Sequence, residues 1–81
     1  MQNAVANPLT YEEHRDLGRE MLKTKVRLRQ LGSVVVGVYG PNSRTAFTFQ
    51  KLNDAMDKLC GEMEAQAEAD CPGLDASSFY R

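Results

Sequence analysis

Gly32-Ser33-Val34-Val35-Val36-Gly37-Val38-Tyr39, followed at once by Gly40-Pro41-Asn42-Ser43, separates two possible architectures. Two glycines inside a helix cost about 1 kcal/mol each, and valine is at home in strands. Taken alone, the stretch would end a helix at Gly32 and make residues 34–39 a short strand. A solitary strand needs a partner, and no other segment of the chain reads as one. Such a strand could pair only with its copy in another subunit.

Phase decides for a continuous helix. His14, Leu17, Met21, Thr24, Leu28, Leu31, Val35 and Val38 recur in alternating steps of three and four. That is a heptad stripe, with His14, Met21, Leu28 and Val35 at a and Leu17, Thr24, Leu31 and Val38 at d. The two valines fall where the earlier part of the stripe requires them. Thr10-Tyr11-Glu12-Glu13 supplies a capping box at the start, and Glu12, Glu13 and Asp16 oppose the positive end of the helix dipole. Gly40 is a competent terminator, Pro41 cannot continue the ladder, and Ser43 or Asn42 can cap the next helix.

The second segment repeats the pattern. Thr45, Phe49, Leu52, Met56, Leu59 and Met63 form a stripe with a at Phe49, Met56 and Met63 and d at Thr45, Leu52 and Leu59. Gln66 and Asp70 close it in polar residues. Beside it, the e column reads Ala46, Asn53, Cys60, Ala67 and the g column Thr48, Ala55, Glu62, Ala69. Small side chains there let a neighbouring backbone approach closely. Cys71-Pro72-Gly73 ends the helix.

The expected organisation is therefore a flexible lead-in over residues 1–9, a helical hairpin over 10–71 and a C-terminal tail over 72–81. Within the hairpin we expect a helix over 11–39, a turn over 40–43 and a helix over 44–70. So short a turn forces the helices antiparallel. Residues 15–29 hold six basic and two acidic side chains, whereas 53–70 hold six acidic and one basic. In an antiparallel pair the two blocks meet, which selects orientation even though each exposed ion pair contributes only about 0–1 kcal/mol.

A single hairpin covers little of so broad an apolar stripe, and a chain below about 80 residues has little core of its own. The expected remedy is a second copy across a twofold axis, giving an all-α, coiled-coil-like four-helix bundle. A different protein supplying the missing helices is the competing arrangement. The expected interface comprises Leu17, Met21, Leu28, Leu31, Val35, Val38, Phe49, Leu52, Met56, Leu59 and Met63 along the stripes. Ala46, Ala55, Cys60 and Ala67 would lie at a second, intersubunit seam.

Composition narrows the function classes. The 81 residues carry 10 basic and 11 acidic side chains, a net charge of −1, with 42% hydrophobic and 26% charged residues. That excludes a polycationic nucleic-acid binder and a wholly disordered chain. No apolar run is long enough to cross a membrane, no secretory leader is legible at the N-terminus, and two cysteines make no disulfide framework. A cytoplasmic protein is the expectation.

Chemistry-bearing residues are few. Cys60, Cys71 and His14 are the soft metal ligands, but Cys60 and Cys71 lack the spacing of a compact zinc knuckle, so we expect no metal and no cofactor. A helix would hold those cysteines too far apart for a disulfide. Intermolecular oxidation at a frayed Cys71 is the more plausible redox event. One histidine and no nucleophile motif cannot assemble a triad, so no enzyme is expected. The carboxylate pairs Asp54/Asp57 and Glu64/Glu68 read as solvated helix surface. Arg15, Arg19, Lys23 and Arg27 step by four into a basic ridge that could follow a phosphate backbone, or could neutralise the acidic second helix. Phe79-Tyr80-Arg81 could dock elsewhere or fold back. The expected role is a self-associating interaction or scaffolding module. The alternatives are a small nucleic-acid-associated regulator using the ridge, and one half of a two-gene regulator–inhibitor pair.

Overall fold

The computed structural model describes residues 8–81. They form two long helices, α1 (Tyr11–Tyr39) and α2 (Arg44–Asp70), and a 3₁₀ turn, η1 (Ser77–Tyr80), with no strand among the described residues. The expected lead-in over 1–9 lies outside the described residues except for Pro8 and Leu9.

Each helix begins and ends for a local reason. Thr10 Oγ1 accepts from the Glu13 amide at 3.1 Å while Glu13 Oε1 accepts from the Thr10 amide at 2.8 Å, completing the capping box. Gly40 closes α1 at φ +90°, its amide donating to the Val36 carbonyl at 2.9 Å. Ser43 caps α2: its Oγ accepts from the Ala46 amide at 3.2 Å and donates to the Gly40 carbonyl at 2.9 Å. The serine thus ties the turn to both helices.

Helix α1 runs unbroken through Gly32 and the valines. Gly32 is buried against α2, where a methyl group in its place would stand 3.5 Å from Phe49 and 3.6 Å from Asn53. The helices run antiparallel, as the pairs His14–Asp70, Lys25–Asp57 and Gly32–Phe49 require. The described chain measures 45 × 27 × 15 Å. Its thinnest dimension is little more than one helix diameter of about 10–12 Å, so there is no second layer to form a deep core.

The helices meet on a different pair of columns from the one the heptads suggest. Facing α2 are the a column of α1 and its e column, Tyr11, Gly18, Lys25 and Gly32. From α2 come Phe49, Met56 and Met63 at a with Ala46, Asn53, Cys60 and Ala67 at e. The d residues stay outside: Leu17, Leu31, Val38, Leu52 and Leu59 are 37%, 38%, 66%, 46% and 44% exposed. Small residues explain the rotation. Gly18, Gly32, Ala46, Cys60 and Ala67 put short side chains where backbones pass closest, and the long d aliphatics do not fit there.

The tail completes the fold. Leu74 to Asp75 turn back, and η1 packs over the open end of the hairpin on its e side. Ala76 and Tyr80 join Cys60, Ala67 and Cys71 in the core, with Tyr11, Met21, Met56, Met63 and Phe79 around it. The backbone reaches α1 at Gly18, where an added Cβ would lie 2.5 Å from the Phe79 carbonyl oxygen. Phe79 also stands edge-on to Tyr11, ring centroids 5.0 Å apart.

Candidate interaction surface

Two sides of the hairpin have opposite characters. On the e side the open end is sealed by the tail, and at its centre lies a polar chain. Asp70 Oδ2 lies 2.9 Å from His14 Nε2, and His14 Nδ1 lies 2.7 Å from the Tyr80 hydroxyl. Gln66 holds the other carboxylate oxygen, its side-chain amide donating to Oδ1 at 2.9 Å. The amide of Gln66 first, then His14, keeps the Asp70 carboxyl below its ordinary value, so it remains an acceptor. Nε2 of His14 therefore carries a hydrogen, and in the neutral ring Nδ1 accepts from Tyr80. Burial first, and then the Asp70 charge, push the Tyr80 phenol up, which keeps its proton in place for that bond.

Carboxylate, imidazole and hydroxyl in series form the skeleton of a proton relay. Here the relay has no substrate side: His14 is fully buried and Tyr80 is 1% exposed. Its geometry suits a tie joining α1, α2 and the tail. Three ionisable groups of one buried network are all hydrogen-bonded, as burial demands. No group of three or more metal-binding side chains comes together among the described residues.

The residues expected at a second seam divide in the described chain. Ala46, Cys60 and Ala67 are buried within it, whereas Ala55 is exposed. Cys60 and Ala67 pack in one core cluster with Ala76 and Tyr80 of the chain's own tail. Met21, Leu28, Val35, Phe49, Met56 and Met63 are half-buried between the two helices. Cys71 is no frayed thiol: it is buried, its Sγ–H pointing at the Leu9 carbonyl at 3.7 Å, and both cysteines are free.

The charge match is also narrower than expected. Only Lys25 and Arg29 reach across, both to Asp57 at 3.0 and 3.5 Å. The ridge Arg15, Arg19, Lys23 and Arg27 turns away from α2. Arg15 pairs with Asp16 and Lys23 with Glu20 on the same helix, and Arg27 meets Gln30. The ridge flanks a shallow groove floored by Leu22 and Val26 on the outer side of α1. Heptad phase accounts for this: with His14 at a, the ridge occupies b, f, c and g, whereas Lys25 lies in the e column that faces α2.

The opposite side of the hairpin, built by the d and g columns, is uncovered. Towards the turn it is mostly apolar: Leu31, Val34 and Val38 from α1, and Thr45, Thr48, Leu52, Ala55 and Leu59 from α2, are all exposed, with Arg44 at one edge and Arg27 at the other. Val35, Tyr39, Phe49 and Leu52 line a largely apolar groove along it, with Arg44, Thr45 and Thr48 on its rim. Towards the open end the face acquires Glu20, Arg27 and Glu62. Val34 and Val38, poor local helix formers, thus stand on this exposed face, while Val36 lies on the other side beside Gly32 and Ala46. Compared with known protein families, curated proteins and solved structures, the chain matches none. No described helix is long and apolar enough to cross a membrane.

Proposed function

We propose that this protein is a non-enzymatic helical interaction module that associates with a second copy of itself through the d/g face. One observation carries the reading: the d-column aliphatics stay exposed while the open end of the e side is closed by the chain's own tail. A largely apolar patch contributed by both helices, with Arg44 and Arg27 at its edges, suits a twofold partner, because the same surface is then buried on both sides. Fully burying a leucine or valine contributes about 1.5–3 kcal/mol, and these side chains are already partly covered, so about 1 kcal/mol each is the scale. Several such residues per chain, counted twice across the axis, act against the cost of bringing two chains together, so a weak, concentration-dependent dimer is the expectation. The four-helix bundle would then have its a and e columns within each hairpin and d and g between them.

Sedimentation of the intact protein beside Leu31→Glu and Leu52→Glu tests this. The wild-type chain should sediment at twice the mass of one chain at tens of micromolar, as an order of magnitude. Each charged variant should sediment as a single, fully helical chain. A wild-type monomer at that concentration would remove the reading.

The outward turn of the ridge favours a second reading, contact with a nucleic-acid backbone, over neutralisation of α2. Its test is binding of duplex DNA or RNA that weakens steeply with salt and disappears in Arg19→Glu. Binding that persists in Arg19→Glu, or none at low salt, contradicts it.

A further inference from the structure

After α2, Pro72 to Asp75 are exposed and Gly73 takes φ +84°, so nothing in this stretch grips the hairpin. The following residues behave like a bound peptide. Their backbone hydrogen bonds are local: Phe79 amide to Ala76 carbonyl and Arg81 amide to Ser78 carbonyl, both 3.3 Å. None passes to α1 or α2 among the described residues. Attachment is by side chains. The Tyr80 hydroxyl is keyed to His14, Phe79 stands against Tyr11, Ala76 is fully buried, and Arg81 reaches Glu64 at 3.1 Å. Beneath them, Gly18 leaves room for the Phe79 backbone where any side chain would collide.

We infer that the groove between the first half of α1 and the second half of α2 is a peptide-binding site. Its ligand is the Ala-Ser-Ser-Phe-Tyr-Arg terminus, and a second copy of this chain supplies that terminus in trans, two copies exchanging tails. The contacts are the same in cis and in trans, because the linker contributes none of them. Tethering alone favours the cis arrangement, by an effective concentration on the order of millimolar. Disabling a chain's own tail removes that competitor and opens its groove to its neighbour. The site lies on the e side and uses none of the d/g residues, so the two modes of association stand or fall separately.

Two full-length chains with complementary defects test the exchange, each also carrying Leu52→Glu to silence the d/g face. Gly18→Leu blocks the groove and leaves the tail intact; Tyr80→Ala leaves the groove open and takes the key off the tail. Labelled with a donor and an acceptor fluorophore and mixed, the two should form mixed pairs at least about tenfold more strongly than either forms with itself. Adding Tyr80→Ala to the Gly18→Leu chain should abolish them. Mixed pairs no stronger than self-pairs, or pairs that survive the double substitution, overturn the proposal. Circular dichroism checks that each chain stays helical. Should Tyr80→Ala lose its helices, the full-length Tyr80→Phe chain, whose own tail has lost its bond to His14, is titrated with a fluorescent peptide of residues 74–81. Saturable binding, displaced by unlabelled peptide and absent in Gly18→Leu, supports exchange; no binding overturns it.

Discussion

Tyr80 donates its hydroxyl proton to a single side-chain partner, His14, at the centre of the sealed end. Tyr80→Phe keeps the ring and its packing but leaves His14 Nδ1 buried without a donor, at a cost of about 1–3 kcal/mol. Urea unfolding should show that loss with little change in slope; an unchanged midpoint would mean that the bond contributes nothing net. The same network sets the pH response. Asp70 has a lowered folded value, so between its ordinary 3.8 and that value the unfolded chain takes up a proton that the folded chain refuses. Its contribution is whole above 3.8 and is lost as pH falls. Tyr80 is raised, so its contribution is whole below its ordinary 10.0 and is lost as pH rises beyond it. Both losses should be smaller in Asp70→Asn and Tyr80→Phe respectively, read as unfolding midpoints across pH. Identical profiles in wild type and variants would contradict the network's role.

Among the secondary-structure elements, glycines separate the requirements of packing from helix propensity. Gly37 in α1 and Gly61 in α2 face open space, so alanine at either should stabilise by about 1 kcal/mol, raising Tm by roughly 4–8 °C. Gly18 is the opposite case. Alanine there meets the Phe79 backbone, and Gly18→Ala should lower Tm and expose the Tyr80 fluorophore to quenchers. If all three substitutions stabilise, the tail does not sit on α1 as described. The helices themselves were legible in the sequence: Thr10 with Glu13 and Ser43 are local caps, and the stripe carries across Gly32. The rotation of the seam was not. A heptad marks which columns are apolar, but which two meet depends on where a neighbouring backbone can pass, and that is set by Gly18, Gly32, Ala46, Cys60 and Ala67 together. Half of the buried network could be inferred, since His14 and Asp70 both occupy a positions at the same end. Tyr80 could not, because a non-repetitive tail has no phase from which to read its partner.

For the whole molecule, the decisive quantity is the imbalance between its two sides. The tail closes a core over the open end of the e side, and the d/g face keeps Leu17, Leu31, Val34, Val38, Leu52 and Leu59 exposed. The sequence pointed to a stripe too broad for one hairpin, and in the described chain its d column stays exposed. Whether the uncovered half is an interface is best decided by sedimentation velocity of the wild-type protein alongside the Leu31→Glu/Leu52→Glu double variant, over a micromolar dilution series. We expect a concentration-dependent dimer for the wild type and a helical monomer for the variant at every dilution. A wild type that remains a sharply melting monomer throughout, or a variant that dimerises as well as the wild type, would refute the d/g interface.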